Sequence, residues 1–218
     1  MIKKIGAKIF ANYIHQKNQK WIKNPLSAQQ KTFDYLIQKA KSTDFGIYHK
    51  FHQIKNYQDF QSLVPIRDYE GHRAYVDKML EGASSVLWPG KPLYYAKTSG
   101  TTSGAKYIPL TKESMPTHIT AARDALLNYI HETGKTDFVN GKQIFLQGSP
   151  TLNKKNGNII GRLSGIVAHY VPKYLQKNRM PSWETNCIED WETKVDAIVG
   201  ETLAQNMSLI AGIPSWVQ

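Results

Sequence analysis

The sequence predicts an α/β domain with a helical layer at its N-terminus. Three observations carry this reading. Apolar residues recur at helical spacing through the first eighty positions. The texture changes after Trp88-Pro89-Gly90 to short apolar runs with strand character. From there strand-like and helix-like segments alternate, the pattern of an α/β layer architecture. On this basis residues 1–85 form a mainly helical segment, and residues 86–218 an α/β portion of the same domain.

In order along the chain, Ile2, Ile5, Ile9 and Tyr13 are spaced by three and four with lysines between, which predicts a helix over residues 2–19. Pro25 and Ser27 open a second helix reaching Ala40, with Phe33, Leu36 and Ile37 inward. Thr43-Asp44-Phe45-Gly46 ends it. Residues 57–80 read as short helices around Pro65, with Tyr69, Tyr75, Met79 and Leu80 apolar. Leu93-Tyr94-Tyr95-Ala96 is a strand, and Tyr107-Ile108-Pro109-Leu110 a short returning one. Thr111 or Ser114 caps a helix to Ile130 with Ala121, Ala122, Leu126, Leu127 and Ile130 on one side, Pro116 lying in its first turns. Gln143–Leu146 is a buried strand and Asn153–Asn158 a turn. Ile159-Ile160 begins an extended stretch that continues through Ile166-Val167-Ala168. Residues 182–205 are mostly helical, Met207–Ala211 is a strand, and Gly212-Ile213-Pro214 starts a helix.

Charge narrows the function classes. The net charge is +11, and residues 1–60 hold 11 lysines, no arginine and Asp34, Asp44 and Asp59 as their acids. Arginine is the usual reader of base edges, and these lysines are scattered among apolar residues, so a solvated helical face is expected rather than a nucleic-acid surface. No apolar run approaches the roughly 20 residues of a membrane span. Asn12, His15, Gln16 and Lys17 interrupt any signal-peptide core. Cys187 is the lone cysteine, so a reducing cytoplasm is the expected setting.

The segment that carries chemistry is Thr98-Ser99-Gly100-Thr101-Thr102-Ser103-Gly104-Ala105-Lys106. Gripping a triphosphate takes converging backbone N–H groups, close approach at glycine, hydroxyl donors and a cation. Two glycines, five hydroxyls and Lys106 lie here between two expected strands. The spacing excludes a Walker loop, because three residues separate Gly100 from Gly104 and Tyr107 follows Lys106. A dinucleotide fingerprint is absent as well. Read as composition alone, such a loop is more often a flexible turn.

Thr-Ser-Gly-Thr-Thr-x-Gly-x-Lys resembles the phosphate loop of the adenylate-forming superfamily. The extra residue before the second glycine looks like that of the auxin-responsive (Gretchen Hagen) acyl-acid amido synthetases. Val64-Pro65-Ile66-Arg67-Asp68-Tyr69-Glu70, Val86-Leu87-Trp88-Pro89-Gly90, Tyr107-Ile108-Pro109-Leu110-Thr111 and Gly212-Ile213-Pro214-Ser215-Trp216 are similar to segments of that family, the last to its bacterial members. The resemblance runs from about residue 25 to the end, and implies part of the large N-terminal domain of an adenylate-forming enzyme. It implies that a carboxylate attacks the α-phosphate of ATP, with Mg²⁺, to give an acyl-adenylate, and that an amino acid then forms the amide. Carried over by position, Thr98, Ser99, Gly100, Thr101, Thr102 and Gly104 grip phosphate, with Lys106 as cation. Plant members have two basic residues near this place, and Tyr107 takes one of them here. The family's second nucleotide motif, ribose-binding acid and small C-terminal domain are not in these residues, so the chain is expected to be an N-terminal portion, inactive alone. An acyl-coenzyme A ligase and a non-catalytic nucleotide-binding module are the alternatives.

Other candidates lie beyond the loop. Ser149, in the turn Gln147-Gly148-Ser149-Pro150 at the end of a strand, and Arg162 in the next extended segment are expected to line an acid pocket, since ligands gather at carboxyl ends of strands; ordinary turn packing is the competing reading. Arg162 is suited to a bidentate grip on a carboxylate. His118, near the start of the helix after the loop, is placed to face the nucleotide or substrate. His49 and His52 are three apart but have no third ligand at metal spacing. Glu184, Glu189, Asp190 and Glu192, with Trp183 and Trp191, read as a solvated helical face over packed indoles.

Overall fold

The structure is a computed structural model that describes residues 2–98 and 104–217. Its helices and strands run in the order α1 Ile2–Ile22, α2 Pro25–Ala40, α3 Asp44–Tyr48, α4 Tyr57–Leu63, α5 Tyr69–Leu80, β1 Tyr94–Lys97, β2 Tyr107–Leu110, α6 Met115–Thr133, β3 Lys142–Phe145, β4 Asn153–Lys155, β5 Asn158–Gly161, α7 Leu163–Ala168, α8 Lys173–Gln176, β6 Arg179–Met180, α9 Trp183–Cys187, α10 Trp191–Thr202, β7 Met207–Ala211 and α11 Pro214–Val217. Short 3₁₀ turns lie at Phe51–Gln53 and Asp137–Val139. The mixed α/β architecture agrees with the sequence reading. No helix among the described residues is long and apolar enough to cross a membrane.

The chain forms two compact units. One comprises residues 20–115 and 153–160. Its four-stranded sheet has the order β2-β1-β5-β4. β1 and β2 are antiparallel, with Tyr94 opposite Leu110 and Lys97 opposite Tyr107. β4 and β5 are joined through Asn156-Gly157, both at positive φ (51° and 77°). That is the backbone a tight hairpin between right-twisting strands demands, and asparagine followed by glycine supplies it most cheaply. Val76 and Met79 of α5 pack with Val86, Tyr95 and Ile160. A second cluster joins Ile37 and Ala40 of α2 to Phe51 and Ile54.

Caps set the helix starts in this unit. The buried Thr43 hydroxyl accepts from Gly46 N at 3.0 Å and donates to Ala40 O at 2.7 Å, so one residue closes α2 and opens α3. Asp68 accepts from Gly71 N at 2.9 Å at the head of α5. Each bond satisfies a backbone group that a helix end leaves open.

The other unit comprises residues 1–19, 116–152 and 161–218. Its three-stranded sheet, β6-β3-β7, is parallel throughout, with Ile144 opposite both Met180 and Ile210. Ala11 and Ile14 of α1 pack with Leu127 and Ile130 of α6. Ser182 and Asp190 cap α9 and α10 through Thr185 N and Thr193 N.

Several expectations change. Ile2, Ile5, Ile9 and Tyr13 of α1 are exposed, and the buried face is the one carrying Ala11 and Ile14. Small alanine permits the close helix approach there, so the largest apolar side chains do not mark the core side. Leu36 of α2 and Ala121 and Ala122 of α6 are likewise outward. Ile166–Ala168 is helical, not extended, because α7 begins immediately after β5. A Cβ on Gly165 would lie 2.2 Å from Ser149 O, so this turn of helix is pressed against the loop after β3. Strand β4 has no apolar signal at all. It is an edge strand of Asn153 and two lysines, composition that protects a free edge. Of the 11 lysines in residues 1–60, all but Lys4 are exposed, as a solvated face requires.

Candidate phosphate-loop site

The stem of the Thr98–Lys106 loop is built by β1 and β2. Beyond the last ladder pair, Lys97 with Tyr107, Thr98 N donates to Lys106 O at 3.0 Å and Lys106 N donates to the Thr98 hydroxyl at 3.3 Å. Gly104 stands at φ +79°, with nothing within 4 Å of a Cβ placed there. The conformation, not crowding, calls for glycine at this point. Ser99, Gly100, Thr101 and Thr102 lie outside the described residues.

Helix α5 braces the return strand. The Tyr69 hydroxyl accepts from Tyr107 N at 2.8 Å and donates to Tyr107 O at 3.4 Å. The Lys106 ammonium and the Arg73 guanidinium each sit 5.4 Å from the centre of the Tyr69 ring, within range of the attraction between a cation and a π face. Arg73 also grips Glu70 with two bonds of 2.6 and 2.7 Å. That pairing holds the Glu70 carboxyl below its ordinary range, with a smaller contribution from Lys106, and holds the Arg73 guanidinium above its own. Beneath the stem, Tyr95 is buried, which pushes its phenol up to about 12, and its hydroxyl has no hydrogen-bond partner among the described residues. The stem therefore places Gly104, the Thr98 hydroxyl and the Lys106 ammonium at one end of the β1–β2 pair. Sequence reasoning found the loop but not its brace; the signal was Tyr69-Glu70 at a capped helix start, within a segment already singled out.

A family model, the GH3 family N-terminal domain, matches residues 14–213. The chain belongs to the GH3 family. Among curated proteins, indole-3-acetic acid-amido synthetase GH3.15 of Arabidopsis thaliana is 36% identical over 83 residues, which are 37% of this chain and 14% of that protein. Among solved structures, GH3.15 acyl acid amido synthetase superposes with a TM-score of 0.60 at 20% identity, over 76% of this chain and 28% of that one. The same enzyme in complex with 2,4-DB gives 0.57 at 19% identity, over 71% and 27%. This GH3 chain thus spans under a third of the length of these relatives, and the structural likeness speaks for its fold.

The remaining candidates of this GH3 domain fall as follows. Ser149 and Arg162 are brought into one neighbourhood: the Arg162 side chain lies along Gly148, where a Cβ would meet its Cδ at 2.3 Å, and Gly148 N donates to the Ser164 hydroxyl. The Ser149 hydroxyl is engaged locally, donating to Thr151 Oγ1 at 2.9 Å and accepting from Thr151 N. His118 is half-buried in the first turn of α6, in the unit that does not contain the loop stem. His49 is buried among rings, and its Nδ1–H donates to Leu63 O at 2.8 Å, so it serves packing. Glu184, Glu189, Asp190 and Glu192 are exposed, with Asp190 spent on its cap.

Proposed function

We propose that the hairpin β1–β2 is the triphosphate grip of an ATP-dependent reaction, in which a carboxylic acid is adenylated and then joined to an amino acid as an amide. The observation that supports it most is the braced stem. Thr98 and Lys106 close the loop with two hydrogen bonds, Tyr69 fixes the return strand, and Lys106 stands over its ring. Transfer at phosphorus is accelerated chiefly by positioning and charge neutralisation, so a pre-set cation and N–H groups that need no rearrangement are what such a site uses. Thr98, Ser99, Gly100, Thr101, Thr102 and Gly104 contact phosphate oxygens, and Lys106 offsets their charge. Mg²⁺ enters with the nucleotide: the carboxylate beside the stem, Glu70, is already held by Arg73. The small-molecule acid and amine classes follow the GH3 relatives, whose names state acyl-acid amido synthesis.

The test is carboxylate-dependent ATP–pyrophosphate exchange over a panel of acids, run on the product of the whole reading frame, with its Lys106→Ala variant beside the parent. Exchange with a particular acid, lost in the variant, supports adenylation. Exchange whose product forms only with a thiol replaces the amide by a thioester and points to an acyl-coenzyme A ligase. ATP binding without exchange for any acid favours a nucleotide-binding module.

A further inference from the structure

Helices α1 and α6 pack on each other within one unit, through Ala11 and Ile14 on the first and Leu127 and Ile130 on the second. Next to this contact three ligating side chains converge. His15 of α1 and His131 of α6 are half-buried, and Glu132 is exposed. One nitrogen of each imidazole and a carboxylate oxygen of Glu132 all lie within 4.8 Å of one another. With metal–ligand bonds near 2.0–2.2 Å, the donors of a tetrahedral zinc site stand ~3.4 Å apart, so small side-chain turns close the set. The two rings stack, with centres 3.6 Å apart and planes 18° from parallel. Stacked rings cannot both aim a lone pair at one ion, so one ring must swing about its Cα–Cβ bond, and half-exposed side chains have the room.

The outer support of such a site is already present. Asn12, one turn before His15, places its Oδ1 2.7 Å from Nδ1 of His131. An amide oxygen only accepts, so His131 Nδ1 carries the hydrogen and Nε2 keeps its lone pair. Metal-ligating histidines are held in this way, with the other ring N–H engaged by an acceptor that fixes tautomer and orientation. His131 also lies in the last turn of the 19-residue α6, where the helix carbonyls favour a cation.

We propose that His15, His131 and Glu132 bind one divalent transition-metal ion of the zinc type, with water completing the tetrahedron. Two imidazoles and one carboxylate suit zinc better than Mg²⁺ or Ca²⁺, which take oxygen donors. The ion clips the second half of α1 to the last turn of α6. The first half of α1 is tied by the ion pair of Lys4 with Asp137 at 2.6 Å, an exposed contact that contributes little. The site lies in the unit that does not contain the loop stem, and its binding is read without nucleotide.

Zn²⁺ is the probe, competed against a chromophoric chelator on the product of the whole reading frame with any histidine tag removed. The parent is expected to bind one zinc that His15→Ala and His131→Ala lose or hold at least tenfold more weakly. Loss of an outer-shell partner costs about 10–100-fold in metal affinity, and Asn12→Ala is expected at the lower end of that range. Glu132→Gln, an exposed change that leaves folding intact, also weakens binding. Zinc is expected to slow trypsin cleavage at the exposed Lys17 and Lys20 of α1 severalfold in the parent and not in the histidine variants, and Mg²⁺ at the same concentration does not. Circular dichroism melts monitor folding, and if a histidine variant does not fold, the Glu132→Gln and Asn12→Ala arms decide. Absence of zinc binding by the parent, equal affinity in the folded variants, or cleavage at Lys17 and Lys20 that zinc does not slow overturns the proposal.

Discussion

Gly104 and Glu201 show how single residues set conditions on this fold. At φ +79° with open space around it, Gly104 resists substitution through backbone energy alone. Gly104→Ala is expected to cost about 1–2 kcal/mol, and Gly104→Asn less, since asparagine tolerates the left-handed region; thermal unfolding of both variants checks the order. Glu201 accepts from Ser182 N at 2.6 Å, from the Ser182 hydroxyl at 2.7 Å and from Thr185 Oγ1 at 2.5 Å. Burial raises its pKa, but the bonds from Thr185 and Ser182 outweigh that and leave the carboxyl below its ordinary value. The stability this supplies is therefore complete above the unfolded glutamate value and lost as pH falls through the lower folded one. Glu201→Gln is expected to cost about 1.5 kcal/mol at neutral pH and to flatten the acid limb of a stability–pH curve below about pH 4. At this scale the segment Thr98–Lys106 stands out as a candidate because Gly/Ser/Thr composition with a lysine is itself chemical information. Glu201 was not legible: its partners lie sixteen and nineteen positions away and meet it only through the packing of α9 on α10.

Among the elements, the join between α5 and β2 is the one to break. Tyr69→Phe removes the hydroxyl that both accepts from and donates to Tyr107. Leaving a part-buried amide without its acceptor costs about 1–3 kcal/mol, and faster amide exchange at Tyr107 than at Tyr95 is the expected signature. Unchanged exchange at Tyr107 means that the tyrosine does not brace the stem. Thr43→Val deletes a cap shared by two helices, with an expected loss of about 1 kcal/mol read from the unfolding midpoint. Elements with a long period or a clean apolar run were readable in the sequence: α1, α2, α5, α6, β1, β3 and β7. Two of the shortest were not. α8 has four residues and β6 two, too few to show any period. The extended reading of Ile166–Ala168 continues the stretch opened by Ile159-Ile160, whereas the chain turns into α7 directly after β5, with Gly165 packed closely on Ser149 O.

At the scale of the molecule, each unit gathers segments far apart in the chain: residues 1–19 with 116–152 and 161–218, and 20–115 with 153–160. This regrouping explains why the contact between Gln147 and Arg179 was invisible beforehand. Gln147 and Arg179 are 32 positions apart and become neighbours only because β3 and β6 pair in parallel. Ser149 and Arg162 lie closer in sequence, and the rule that ligands gather at carboxyl ends of strands was enough to group them.

Parallel pairing has one more outcome. Among the described residues the sheet ends at β7, and Met207-Ser208-Leu209-Ile210-Ala211 offers no charge and no proline along that edge, with Ile210 59% exposed. β4 carries lysines as gatekeepers on its rim and β7 carries none. Concentrated solutions of this chain should therefore self-associate through strand addition at β7, growing turbid with concentration and time. Ile210→Lys supplies the missing gatekeeper, and is expected to clear light scattering while leaving the melting temperature nearly unchanged.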